Sequence, residues 1–301
     1  MKYSADNLLI VGLGLIGGSL ARALRQSGFS KRFIGYGHRE PSLKRGVELG
    51  VIDEFTLDLD EALAKADLVV ICTPTLTASD VLREILPKLQ GRADGPVITD
   101  AASVKGTLRN TAVDLWGSMP PQLVLGHPIA GSEHSGVAAS DAALFDKHRV
   151  ILTPEAGNDL EAVELIRAMW ESTGAQVMDM TVEQHDKVLA ATSHLPHVLA
   201  YTLVDALSRS DASVDIFNCA AGGFRDFTRI ASSDPVMWRD ISLANKPALL
   251  DAIDLFSQHL AQLRTAVANE DDAALLETFS HAKQARDEFA AVLAERNKSK
   301  T

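Results

Sequence analysis

The sequence predicts an α/β chain, with a doubly wound parallel sheet in its N-terminal part and an all-α C-terminal part. Three observations carry that expectation. Short apolar runs alternate with amphipathic helical runs through residue 182, the pattern of a parallel sheet covered by helices on both faces. A glycine cluster, Gly12 to Gly18, lies where the first apolar run gives way to the first helix. From Glu183 onward the apolar spacing is almost wholly helical.

Leu8 to Val11 is the first strand, and the helix after the glycines runs to Gly28, a natural C-terminal stop. Phe33 to Tyr36 reads as the second strand, with short helices at Leu43 to Leu49 and Leu57 to Ala66. Leu68 to Cys72 is unbroken and apolar, as a strand buried on both faces should be. A helix over Val81 to Leu89 precedes a strand at Val97 to Thr99. Later strands are expected at Val124 to Leu125, Val150 to Leu152 and Val177 to Met180, the last after a helix from Leu160 to Ser172. Beyond, Leu249, Ile253, Phe256, Leu260, Leu263 and Val267 form one apolar helical stripe, and a second begins at Leu275. Two such helices either pack on each other or form a dimer interface, and a homodimer is expected. The expected domains are 1–182, binding a dinucleotide, and 183–301, binding substrate and dimerising.

Composition narrows the function classes. The 301 residues carry a net charge of −11, which argues against a nucleic-acid partner, since such partners need a basic footprint. The only cysteines, Cys72 and Cys219, are far apart; neither a disulfide framework nor a metal site is expected. No apolar run approaches membrane-spanning length and no leader-like stretch opens the chain, so no membrane partner and a cytoplasmic address are expected.

Gly12-Leu13-Gly14-Leu15-Ile16-Gly17 matches G-x-G-x-x-G between a strand and a helix, with a second strand within ~30 residues. This context makes the N-terminal part a Rossmann-type dinucleotide-binding domain. Gly12 suits the tight turn, Gly14 the approach of the pyrophosphate and Gly17 close helix–strand packing. The helix N-terminus, at Leu15 and Ile16, then receives the phosphates. Thr73 and Pro74, directly after the strand Leu68 to Cys72, are further cofactor-binding candidates. The acid that would accept from an NAD ribose is missing, because the second strand leads into Gly37-His38-Arg39. His38 and Arg39 suit a 2′-phosphate, while a solvated Arg39 or a reach by Glu40 leaves NAD equally open. The cofactor is NAD or NADP.

Four segments resemble the prephenate/arogenate (cyclohexadienyl) dehydrogenase family. They are Gly12 to Gly18; Asp100-Ala101-Ala102-Ser103-Val104-Lys105-Gly106; Gly126-His127-Pro128-Ile129-Ala130-Gly131-Ser132-Glu133; and the pair Ser193-His194-Leu195-Pro196-His197 with Gly222 to Arg229. The resemblance spans essentially the whole chain. It implies oxidative decarboxylation of prephenate, arogenate or both, a dicarboxylate substrate, with hydride passing to NAD(P)+. It also implies that His127 accepts from the ring hydroxyl, that Ser103 bonds both that hydroxyl and His127, and that His197, Ser132 and Glu133 lie near the substrate side chain.

The residues make chemical sense alongside the resemblance. A carbinol oxidised by hydride transfer needs a proton acceptor, and neutral histidine serves near pH 7. His127, read as just after a strand, falls on the rim of the sheet, and activity should fall below about pH 6.5 as it protonates. Arg229 is the candidate clamp for the ring carboxylate, with Phe224, Phe227 and Ile230 suggesting a partly dry pocket. Trp238 lines the same wall or is plain core. Ser103 doubles as a possible helix cap, Lys105 reads as solvated, Glu133 as a helix-start acid, and His194 as a packed support. The competing readings are a β-hydroxyacid dehydrogenase of the same plan, for which Lys187 lacks the expected setting, and a non-catalytic NAD(H) sensor.

Overall fold

The computed structural model describes residues 3–92, 95–131 and 134–298. Its sheet has eight strands in the order β3-β2-β1-β4-β5-β6-β7-β8. They are β1 Ala5–Val11, β2 Ser30–Tyr36, β3 Glu54–Thr56, β4 Leu68–Ile71, β5 Val97–Asp100, β6 Leu123–Ile129, β7 Arg149–Thr153 and β8 Gln176–Asp179. The helices interleaved with them are α1 Leu15–Ser27, α2 Glu40–Glu48, α3 Leu59–Lys65, α4 Thr75–Leu89, α5 Gly106–Trp116 and α6 Leu160–Glu171.

Strand alternation sorts the core into two layers. Leu8 and Ile10 point to the face that also holds Leu20, Leu24, Phe33 and Trp170. Leu9 and Val11 point to the other, with Val69, Ile71, Leu82, Ile85 and Leu108. The doubly wound reading therefore holds, and the strand order reverses between β1 and β4, the switch point outside which ligands of such sheets bind.

Five elements depart from expectation. β7 runs antiparallel to β6. Among its described residues the link between them carries only a single turn at Val137–Ala139, and without a full covering helix a parallel return is disfavoured. β6 continues through Gly126, His127 and Pro128, so His127 lies inside a strand and not after it. Gly126 and Pro128 read as breakers, but a Cβ at position 126 would stand 3.2 Å from the Asp100 carbonyl, and the glycine is what lets β6 pass β5. Finally, helix α4 starts at Thr75, and the short edge strand β3 and helix α5 went unread.

After the sheet come α7 Val182–Leu189, a wide π turn at Ala190–His194, α8 Leu195–Ser208, α9 Ser213–Asn218, α10 Gly222–Thr228 and α11 Pro235–Ala244. Contacts group Met1–Lys246 into one compact unit and Pro247–Thr301 into another. The second unit is built on α12 Lys246–Ala268 and α13 Asp272–Lys298, broken where Glu270 takes a left-handed φ of 54°. Leu255, Leu260, Val267, Leu276 and Phe279 on these helices are all exposed in the single chain. Among the described residues no helix is long and apolar enough to cross a membrane.

Candidate active site

The glycine loop has the geometry its sequence requires. Gly12 has φ 93°, and a Cβ there would stand 2.7 Å from the Thr73 side chain. At Gly17 a Cβ would come within 2.6 Å of the Gly12 carbonyl, whereas one at Gly14 would meet nothing within 4 Å. The first and third glycines thus pack the turn, and the second fronts open space. Helix α1 begins there with no side-chain cap and no acid in its first turn, leaving N–H groups and the positive end of the helix free for an anion. Across the switch point Thr73 holds a buried hydroxyl with no hydrogen-bond partner among the described residues, and Pro74 is exposed beside it. An orphaned hydroxyl facing an uncapped, glycine-floored helix start fits a dinucleotide. His38 and Arg39 are exposed beyond β2, and Glu40 pairs with Lys44 at 3.0 Å.

His127 is 8% exposed. Its Nδ1 lies 2.9 Å from His185 Nε2, and His185 Nδ1 is 2.8 Å from Asp186 Oδ1. Asp186 also accepts from the backbone N–H of Lys105 at 2.9 Å and of Gly106 at 2.8 Å, so it caps α5 from a distant helix. Ser103 does not cap that helix, as its side chain makes no such bond. It is half-buried, and among the described residues it does not hydrogen-bond His127, whose Nδ1 is taken by His185.

The solvated reading of Lys105 is wrong. Its side chain is fully buried, and its ammonium donates to the Asp100 carboxylate and to the Gly126 carbonyl. Asp100 also accepts from the N–H of Ala102 at 2.8 Å and of Gly126 at 3.2 Å. Lys105 stands at the N-cap of α5, five residues past the end of β5, and with its side chain cut off from water it pairs inside. The pair anchors β6 one residue before His127, where β5 has ended.

From Asp186 the site continues into the helices. Asn245 Nδ2 donates to the Asp186 carbonyl at 2.8 Å and sits 3.1 Å from His194 Nδ1. His194 meets Trp238 edge-on, and Trp238 stacks on His197 with ring centroids 3.5 Å apart. His194 and His197 thus share one helix face, as their spacing predicted. Trp238 is buried with Val104 and Ile241, joining α11 to the Ser103 loop. Arg229 follows α10 in an exposed turn, close enough for its charge to act on His197. Of the apolar side chains expected around it, Phe224 and Ile230 are half-buried and Phe227 is 46% exposed in the single chain. Ser132 and Glu133 lie outside the described residues. Among the described residues no metal-binding cluster of His, Cys, Asp and Glu forms.

Electrostatics keep the histidines neutral. Burial pushes the His127 pKa well below its ordinary value, helped by His185, Lys105 and His194. Burial likewise lowers His185 against the pull of Asp186 and takes His194 to about 4. For Asp186 burial acts upward, but hydrogen bonds from His185 and two backbone N–H groups outweigh it and hold the carboxyl down. The acid limb set by His127 is therefore expected well below pH 6.5, not at it. The sign follows from the base being active when neutral: lowering its pKa widens the active range toward acid. A pH profile of kcat/KM with its half-point at or above 6.5 would contradict this.

An open α/β sheet with a dinucleotide cradle at its β1–β4 switch point, and a buried neutral histidine two strands away on β6, defines a nicotinamide-dinucleotide-dependent oxidoreductase. Residues 20–179 match the nucleotide-binding domain of prephenate dehydrogenase, and residues 181–281 match its dimerization domain. The chain belongs to the prephenate dehydrogenase family. It is 39% identical to a cyclohexadienyl dehydrogenase of Zymomonas mobilis, over 93% of this chain and 94% of that one. It is 38% identical to a prephenate dehydrogenase of Bacillus subtilis, over 95% of this chain and 77% of that one. Among solved structures, the prephenate dehydrogenase of A. aeolicus in complex with hydroxyphenyl propionate and NAD+ superposes with a TM-score of 0.87. It has 39% identity and covers 96% of this chain and 100% of that one.

Reasoning from sequence missed His185, Asp186, Asn245 and the Asp100–Lys105 pair. The available signal was the adjacent His-Asp in a helix that also carries apolar Val182 and Leu189. It was weak, because such pairs are commonly solvated.

Proposed function

We propose that this chain oxidatively decarboxylates prephenate, arogenate or both, passing hydride to NAD+ or NADP+. The observation that carries the reading is His127, buried and neutral at the edge of a dinucleotide-binding domain in a chain whose two parts both match this family. Residues 1–182 hold the dinucleotide and 183–301 supply substrate contacts and the dimer interface. The cradle comprises Gly12, Gly14, Leu15, Ile16, Gly17, Thr73 and Pro74, with His38 and Arg39 beside the adenosine ribose. When bound, the nicotinamide supplies the hydride acceptor. His127 takes the proton of the ring hydroxyl as that carbon is oxidised to a carbonyl. The ring carboxylate then leaves as carbon dioxide, its bonding electrons complete the aromatic ring, and the oxygen regains a proton as a phenol.

Ser103 orients the hydroxyl, Arg229 clamps the ring carboxylate, and His197, stacked on Trp238, meets the substrate side chain together with Ser132 and Glu133. The exposed apolar side chains of α12 and α13 support a homodimer formed through these helices. The enzyme works in the cytoplasm.

The deciding experiment measures nicotinamide reduction with each substrate and each cofactor in all four combinations. Turnover in none of them would sink the proposal, and the preferred pair would identify the cofactor. Arg229→Gln is expected mainly to raise KM, with a loss of about 1.5–3 kcal/mol in kcat/KM for a charge-assisted bond. An unchanged KM would place the carboxylate elsewhere.

A further inference from the structure

The chemistry above leaves the buried His185 and the half-buried Asp186 beside it unused. We propose that they are positioning residues that lock His127 into the tautomer protonated on Nδ1, making Nε2 the base, and that Asp186 sets the Ser103 loop from the same carboxylate. The inference rests on the reading of His127 as the base.

Donor and acceptor matching settles where the protons are. An ionised carboxylate only accepts, so His185 Nδ1, 2.8 Å from Asp186 Oδ1, carries a proton. A neutral imidazole has one donor and one acceptor, which leaves His185 Nε2 a bare lone pair. That nitrogen lies 2.9 Å from His127 Nδ1, so Nδ1 must donate. In the other tautomer two lone pairs would face each other in a buried site, an unsatisfied arrangement that disfavours it. Burial, which keeps both rings neutral, makes the matching unambiguous.

The second half of the proposal follows from the other bonds of Asp186. Oδ1 accepts from Lys105 N–H and Oδ2 from Gly106 N–H, the first backbone donors after Ser103 and Val104. Side chain and backbone are thus oriented from one point, because the helix that carries Asp186 also carries His185. Neighbouring Asn245 holds the Asp186 carbonyl, which limits rotation of that segment.

The test reads the tautomer directly, on the full-length protein without substrate. Imidazole 15N chemical shifts separate a protonated from a bare ring nitrogen, and loss of one set of signals in His127→Asn assigns His127. Wild type is expected to show His127 protonated on Nδ1 and bare on Nε2. His185→Leu, lacking the acceptor, is expected to lose that preference and to drop kcat by up to about 10²-fold with KM within a factor of about two. His185→Gln, whose amide oxygen reaches the position of Nε2, is expected to recover the tautomer and most of kcat. A wild-type His127 protonated on Nε2 overturns the proposal, as does a folded His185→Leu with unaltered tautomer and kcat. Should the leucine variant fail to fold, the wild-type spectrum still decides. Absence of turnover on either substrate would overturn the proposed function instead, and leaves the tautomer readout standing.

Discussion

Replacing His127 with Asn is expected to lower kcat by roughly 10²–10⁴-fold, the usual size of a lost acid–base group, or about 2.7–5.5 kcal/mol of barrier. Asparagine is the informative choice. Its amide nitrogen takes the place of the imidazole Nδ1, so the 2.9 Å bond to His185 Nε2 can persist while the outer nitrogen is lost. Folding, followed by circular dichroism and thermal unfolding, should be close to wild type. Rapid-mixing and steady-state kinetics then separate chemistry from binding. Activity within a few-fold of wild type would mean that another group is the base.

The second large effect is on stability. Lys105→Met keeps the length of the stem but removes the ammonium from a fully buried pair. Asp100 is then left as an uncompensated charge and the Gly126 carbonyl as an unpaired acceptor. Breaking one side of such a pair typically costs about 3–5 kcal/mol. Urea unfolding at matched protein concentration measures it, since dimerisation makes stability concentration-dependent. Pairing Lys105→Met with Asp100→Asn should recover part of the loss, because the neutral amide removes the uncompensated charge while its oxygen can still accept from the Ala102 N–H. A single variant within 1 kcal/mol of wild type would show that the pair does not hold β6 in place. A loss of activity beyond the loss of folded protein is also expected, because Gly126 immediately precedes His127.

The cradle and the first helix were legible because each constraint acts on one residue. Gly12 needs a left-handed φ, and Gly17 stands where any Cβ would strike the turn. The central strands were legible because Leu8 to Val11 and Leu68 to Ile71 are apolar at every position, as burial on both faces demands. Edge strand β3 was not, since three residues carry too short a period. Nor was the far half of β6, where Gly126 and Pro128 oppose local strand preference and only the passage beside Asp100 explains the glycine.

By itself, then, the sequence determined a dinucleotide-binding α/β domain joined to helices, the residue types of a dehydrogenase site and the resemblance that named its family. These follow from local patterns of apolar period, backbone freedom and motif order. Tertiary structure alone decided that Lys105 is buried, that His127 sits inside a strand with its Nδ1 engaged, and that Asp186 reaches the start of α5 from 81 residues away. Whether a charged or titratable side chain meets water or a partner depends on what the fold brings opposite it. That partner lies elsewhere in the chain, and no local pattern records it.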